Sequence, residues 1–305
     1  MRTVRSMALL ALTAAAVAAL VLLGVDAASL RTSPGRWDVA DGGGPQVGPV
    51  LPVGGITQAT RQAPARPPPD GYAVEAATTR FRAGLPRRFS FRILEHGRPV
   101  TAFRRTHERL LHMIVVRHDL TEYQHLHPAL GRDGTWSITL GLPRAGAYRV
   151  FVDTATGRGP FTLHLDLRAS GHSPDVPLPP PSPATTVGPY TVALDAAAVG
   201  TAAELRFQVS VGGRPVTDLE PYMGARGHLV ILRASDLAYL HVHPEGHAGG
   251  GHDHLAGDSG RGGDARAGGP VTFAARFPSA GAYRMFLQFR HRGQVRTAAF
   301  TFVLP

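Results

Sequence analysis

The chain has 305 residues, a length that allows about two domains. It has no cysteine, which excludes a disulfide framework, a thiolate metal site, a cysteine nucleophile and a blue-copper centre. The formal net charge is +10, carried by 32 basic residues that are all arginine. These arginines are scattered through strand-like segments and form no stripe, so the charge does not point to nucleic acid.

The first element is an export signal. Arg2 and Arg5 precede an apolar run from Met7 to Val25, a charged region followed by a hydrophobic one. Residues 1–28 read as a signal peptide or an uncleaved N-terminal membrane anchor, because the run at 7–25 is just long enough to span a bilayer as a helix. Both readings place the remainder outside the cytoplasm, secreted or tethered to the cell membrane.

Residues 29–69 hold Gly42-Gly43-Gly44 and Pro67-Pro68-Pro69 without apolar periodicity, and are expected to be a disordered or extended linker. A second Pro-rich stretch, within 171–186, is expected to be a semi-rigid linker of polyproline type. The linkers bound two blocks, 70–170 and 187–305.

The blocks are copies of one unit. Arg98-Pro99-Val100-Thr101 returns as Arg214-Pro215-Val216-Thr217, and His112, Arg117, Tyr123, His125, His127 and Pro128 return as His228, Arg233, Tyr239, His241, His243 and Pro244, all at an offset of 116. Pro143-Arg-Ala-Gly-Ala-Tyr-Arg returns as Pro278-Ser-Ala-Gly-Ala-Tyr-Arg at an offset of 135. The 19-residue difference is an insertion in the second copy, within a Gly- and His-rich segment at 245–269.

Within each copy, short alternating runs separated by turns predict an all-β fold: two tandem antiparallel β-sandwich modules. Phe89–Leu94, His112–Arg117, Thr135–Leu140 and Tyr148–Asp153 are such runs, as is Leu205–Ser210. The Pro-x-x-Gly-x-Tyr turn resembles the corner of immunoglobulin-like and cupredoxin-like sandwiches, with Tyr148 and Tyr283 as structural caps.

The repeated chemistry is His-x12-His-x-His-Pro. A hairpin with the four-residue loop His118–Thr121 sets His112 opposite His127, Ile114 opposite His125 and Val116 opposite Tyr123. Side chains repeat every second residue on one face, so the three imidazoles share a face. Opposed Cβ atoms lie about 5 Å apart, close enough for the rings to converge on one ion. The second copy sets His228 opposite His243, with His241 beside them. Its other face, Leu229, Ile231, Leu240 and Val242, is the core face, which leaves the histidines to solvent or to the other module.

Three neutral imidazoles without thiolate suit copper first and zinc as the alternative. No acidic base recurs in both copies, since Glu122 aligns with Ala238 and Asp119 with Ser235. The expectation is therefore a non-enzymatic protein, with a metal-dependent hydrolase or oxidase as the minor alternative. Met113 and Met223 are not repeated, and core packing accounts for Met113. In the insertion, His247, His252 and His254 are auxiliary metal candidates beside the reading of an unselected loop. His96, His107, His118, His164, His172 and His291 have no repeat partner and are assigned to the surface.

The segments His112-Met-Ile-Val-Val-Arg, Tyr123-Gln-His-Leu-His-Pro and their copies resemble exported actinobacterial proteins with YtkA-like and FixH-like β-sandwich domains. The resemblance covers both blocks. It implies a cupredoxin- or immunoglobulin-like fold and a part in heavy-metal or copper handling; the missing cysteine ligand separates the chain from true cupredoxins. The expected function is extracytoplasmic metal binding for buffering, delivery or sensing, with a metal ion and a membrane or cell-envelope protein as partners. The competing expectation is an envelope interaction module whose histidines are structural.

Overall fold

The computed structural model describes residues 67–242 and 269–305. The N-terminal run at 7–25, most of the first linker, His243 and the insertion histidines His247, His252 and His254 lie outside the described residues. For His241 the backbone alone is described.

The described chain is all β, with no helix among the described residues. In the first module the strands are β1 (Tyr72–Ala76), β2 (Arg80–Arg82), β3 (Arg87–Glu95), β4 (Arg98–Pro99), β5 (Leu111–Arg117), β6 (Gln124–Leu126), β7 (Ala129–Leu130), β8 (Thr135–Leu140), β9 (Gly146–Thr156) and β10 (Gly159–Ser170). The second module has β11 (Ala184–Val187), β12 (Tyr190–Val199), β13 (Ala202–Val211), β14 (Arg214–Pro215), β15 (His228–Arg233), β16 (Tyr239–Val242), β17 (Val271–Arg276), β18 (Gly281–His291) and β19 (Gln294–Leu304).

Each module is two sheets. The first joins β1-β3-β8-β7, with β4 on β3, to β2-β10-β9-β5-β6; the second joins β11-β12-β13-β14, with β17 on β13, to β16-β15-β18-β19. Period-two alternation builds the cores. Phe89, Phe91 and Ile93 point inward from β3, and Leu205, Phe207 and Val209 do so from β13. One pair departs from the expected antiparallel pattern: β2 runs parallel to β10, with Arg80 opposite Arg168. The chain passes from one sheet to the other between β1 and β2, so β2 meets β10 without a hairpin.

Both tyrosine corners form. The Tyr148 hydroxyl donates to the Arg144 carbonyl at 2.8 Å, and the Tyr283 hydroxyl to the Ser279 carbonyl at 2.6 Å. The Pro-rich connection is strapped to the first module. Arg117 is buried and donates to the carbonyls of Ala145 and Ser173, each at 2.9 Å, while it pairs with Asp119. Arg144 donates to the Pro174 carbonyl at 2.9 Å, and the Val176 amide donates to Asp119 at 2.9 Å.

A third apolar cluster lies between the modules. Ile114, Val116, Leu120 and Phe151 from the first pack with Val230, Leu232, Leu237, Tyr239 and Phe286 from the second. These are the faces of β5, β9, β15 and β18 turned away from their own cores. Two ring stacks cross the boundary, Tyr123 on Phe286 and Tyr239 on Phe151. The repeat offsets convert one stack into the other, so the modules face each other across an approximate two-fold axis. The described residues thus stack four sheets deep, and the faces that carry His112 and His228 are inner ones.

Candidate metal centre at the module boundary

The β5–β6 hairpin has the register that the histidine spacing implies. Ile114 pairs with His125 and Met113 with Leu126; in the second module Val230 pairs with His241 and Leu229 with Val242. His112, Ile114 and Val116 therefore leave β5 on the face turned to the second module, while Leu111, Met113 and Val115 enter the core. Met113 is core packing, as its alignment with Leu229 suggests.

His112, His125 and His127 converge. Each offers one ring nitrogen, and these atoms all lie within 4.8 Å of one another. The ring centroids are 5.3 Å apart for His112–His125, 5.2 Å for His112–His127 and 4.8 Å for His125–His127. His112 is buried, and the other two are half-buried.

Two further histidines lie beside the group, outside the set of nitrogens that are within 4.8 Å of one another. His228 is buried and lies across the boundary, its centroid 4.7 Å from that of His125 and 6.1 Å from that of His112. His107 lies in the turn before β5, with its centroid 5.8 Å from that of His112. The assignment of His107 to the surface is therefore corrected: it is half-buried beside the cluster. A signal existed in the repeat. His107 aligns with Met223 at the common offset, and both hold left-handed backbone, φ 48° and 55°, in bridged turns closed by Thr106–Arg109 and Tyr222–Ala225.

His291 is also buried, correcting its assignment to the surface. It accepts or donates at Nδ1 with the Tyr190 hydroxyl at 2.8 Å, and its Nε2 meets Asp218 at 3.1 Å. In the first module Thr156 occupies the aligned position and bonds the Tyr72 hydroxyl at 3.3 Å. Both contacts tie the two sheets of a module together and lie outside the centre.

The hydrogen bonds around the cluster fix its tautomers. His112 Nε2 lies 2.9 Å from the Thr106 carbonyl oxygen, which only accepts, so Nε2 carries the proton and Nδ1 the lone pair of the neutral ring. His125 Nδ1 lies 2.7 Å from Gln288 Oε1, while the Gln288 amide nitrogen donates to Thr297 at 3.3 Å. His125 therefore donates through Nδ1 and presents its lone pair at Nε2. The two presenting atoms, His112 Nδ1 and His125 Nε2, are 3.1 Å apart. Two nitrogens at that separation either share a proton in an N–H···N hydrogen bond or hold a metal ion between or beside them. Metal–nitrogen bonds of about 2.0–2.1 Å place neighbouring ligand nitrogens about 2.9–3.4 Å apart, so the observed spacing fits an ion.

His127 Nε2 is buried with no hydrogen-bond partner among the described residues. Burial, with the positive charge of Arg109 nearby, pulls His127 down to about 4 and keeps the ring neutral, the form that binds metal.

A family model described as "Domain of unknown function (DUF8832)" matches the chain twice, over residues 66–171 and 185–304. The chain belongs to this family. No curated protein matches it. Among solved structures the chain is similar to FdeC, an adhesin of Escherichia coli, at 18% identity over 75% of this chain and 63% of that one, with a TM-score of 0.24. It is similar to a two-domain fibronectin type III segment of chicken tenascin, at 12% identity over 76% and 97%, TM-score 0.22. It is also similar to a putative membrane anchored protein from Corynebacterium diphtheriae, at 9% identity over 78% and 60%, TM-score 0.23. The chain thus spans less than two thirds of the length of FdeC.

Proposed function

We propose that this DUF8832 chain is a non-enzymatic, extracytoplasmic metal-binding protein that buffers, delivers or senses a transition-metal ion, copper first and zinc second. Its ligands in the first module are His112, His125 and His127. The observation that carries the reading is the 3.1 Å approach of His112 Nδ1 to His125 Nε2, with the opposite nitrogen of each ring committed to an acceptor. Such outer partners orient ligating imidazoles and set which nitrogen binds. The orphaned Nε2 of His127 supplies a third donor. An all-imidazole set without carboxylate or thiolate favours Cu(II) over Zn(II) in the general affinity order.

The same role is proposed for His228, His241 and His243 as the second copy of the pattern, and for His247, His252 and His254 as weaker auxiliary ligands. The apolar run at 7–25 supports export with a membrane tether, and the resemblance to YtkA-like and FixH-like domains supports copper handling in the cell envelope. The tyrosine corners support an immunoglobulin- or cupredoxin-like assignment of each sandwich.

The rival reading is a structural module in which the histidines serve module docking, and the burial of His112 and His228 in the boundary favours it. Calorimetric titration of the metal-stripped chain with Cu(II) and with Zn(II) separates the two. Stoichiometric binding that is lost in a His125→Ala/His127→Ala chain supports a metal site. Absence of binding, or affinity unchanged in that variant, supports the structural role.

A further inference from the structure

We infer that the metal centre belongs to both modules: His228 supplies a ligand from the second, Gln288 selects the binding nitrogen of His125, and the ion clamps the modules together. The inference rests on the proposed three-histidine site and adds to it the identity of the closing groups.

His228 begins β15 as His112 begins the body of β5, and each is buried on the face turned to the other module. The His112 and His228 rings are stacked, 6.1 Å apart with planes 13° from parallel, and His228 lies closer still to His125. The approximate two-fold axis that exchanges the Tyr–Phe stacks runs between them. A ligand set built around that axis draws on both copies, and a fourth imidazole completes the tetrahedral or square-planar shell of a borderline divalent ion.

Gln288 is the second contribution. It pairs with His228 across β15–β18, is buried, and accepts from His125 Nδ1 at 2.7 Å. Its counterpart in the first module is Asp153, paired with His112. The module that carries the three clustered histidines thus lacks the acceptor that fixes the tautomer of one of them, and receives it from its copy. Gln288 is a positioning residue, since it acts through His125.

An ion held in this way has two effects. It is bound tightly only when the modules are docked, and it adds cross-links to a boundary already held by the apolar cluster, the two ring stacks and the His125–Gln288 and Arg149–Asp236 hydrogen bonds. Separation of the modules would release it, which is the behaviour of a carrier that gives up its cargo on a change of shape.

The test uses the metal-stripped full chain, Cu(II) supplied from a glycine complex, and the variants His228→Ala, His228→Gln, Gln288→Leu and Gln288→Glu, each checked for native β structure by circular dichroism. Removing the His228 imidazole is expected to weaken Cu(II) by about tenfold or more and to remove one nitrogen from the paramagnetic resonance signature. Gln288→Leu is expected to weaken binding by about 10–100-fold, the range for an outer partner of a metal ligand. Gln288→Glu, which keeps the acceptor, restores most of it. Equal affinity and an unchanged nitrogen signature in both His228 variants and in Gln288→Leu overturn the shared centre while leaving the three-histidine site standing. Failure of the wild-type chain to bind Cu(II) or Zn(II) overturns both.

Discussion

Tyr123 of the first module lies flat on Phe286 of the second, with ring centroids 4.1 Å apart and planes 10° from parallel. The aligned residues repeat the contact in reverse, Tyr239 on Phe151 at 5.0 Å and 21°. Phe286 belongs to the boundary cluster and to neither module core. Its truncation therefore tests docking rather than folding of the sandwich. Phe286→Ala is expected to cost about 3 kcal/mol, the low end for a buried Phe, in denaturant unfolding. A Tyr123/Phe286 double-mutant cycle is expected to give a coupling of about 0.5–1.5 kcal/mol. Additive effects would show that the stack contributes only buried area.

The Tyr123 hydroxyl is buried with no hydrogen-bond partner among the described residues. Burial, with Tyr222 nearby, pushes its ionisation well above the ordinary range. Removing an unsatisfied hydroxyl relieves a desolvation cost of about 1–3 kcal/mol. Tyr123→Phe should leave the thermal midpoint unchanged or raise it. A clear fall would mean that the hydroxyl has a partner essential to docking.

Arg117 and Arg233 are repeat partners with different surroundings. Arg117 is buried and holds the Ala145 and Ser173 carbonyls with Asp119, whereas Arg233 is partly exposed and pairs with Asp236 and Ser279. Breaking a buried pair by removing one partner costs about 3–5 kcal/mol, while exposed pairs contribute about 0–1 kcal/mol. Arg117→Ala should destabilise strongly and loosen the Pro-rich connection to proteolysis; Arg233→Ala should do so mildly. Equal losses would contradict this account of the two sites.

His127 predicts the acid response of the metal-free protein. Its ionisation is held down at about 4, against 6.5 for an ordinary histidine. The unfolded chain takes up this proton before the folded one, so stability falls as pH drops from about 6.5 to about 4 and the effect is complete below that. His127→Gln removes this component, and its stability should depend less steeply on pH across the window. Parallel profiles for the two chains would show that His127 is not held neutral.

The repeat and the hairpin register were legible because they rest on spacing alone. A four-residue loop with paired positions fixes Ile114 opposite His125, and the same arithmetic gives Val230 opposite His241. The alternation on β15 also showed that Leu229 and Ile231 are core and that His228 faces the other way. What covers that face was not legible. Val116, Phe151, Val230 and Phe286 read as ordinary strand apolar residues, and nothing local distinguishes a second buried face from a sheet interior. His107 was not legible because its counterpart in the second copy is methionine, although Met223 occupies the same turn. His291 was missed for a similar reason: its counterpart Thr156 hides a shared role in bonding Tyr72 and Tyr190.

The most direct test of the central claim is a crystal structure of the chain loaded with Cu(II), with the ion located by its anomalous scattering. The account predicts one ion between the modules, bonded to His112 through Nδ1 and to His125 through Nε2 at about 2.0–2.1 Å, with His127 completing the first-module set. An ion bound through His112 Nε2 or His125 Nδ1, or bound elsewhere with this cluster unchanged, would contradict it.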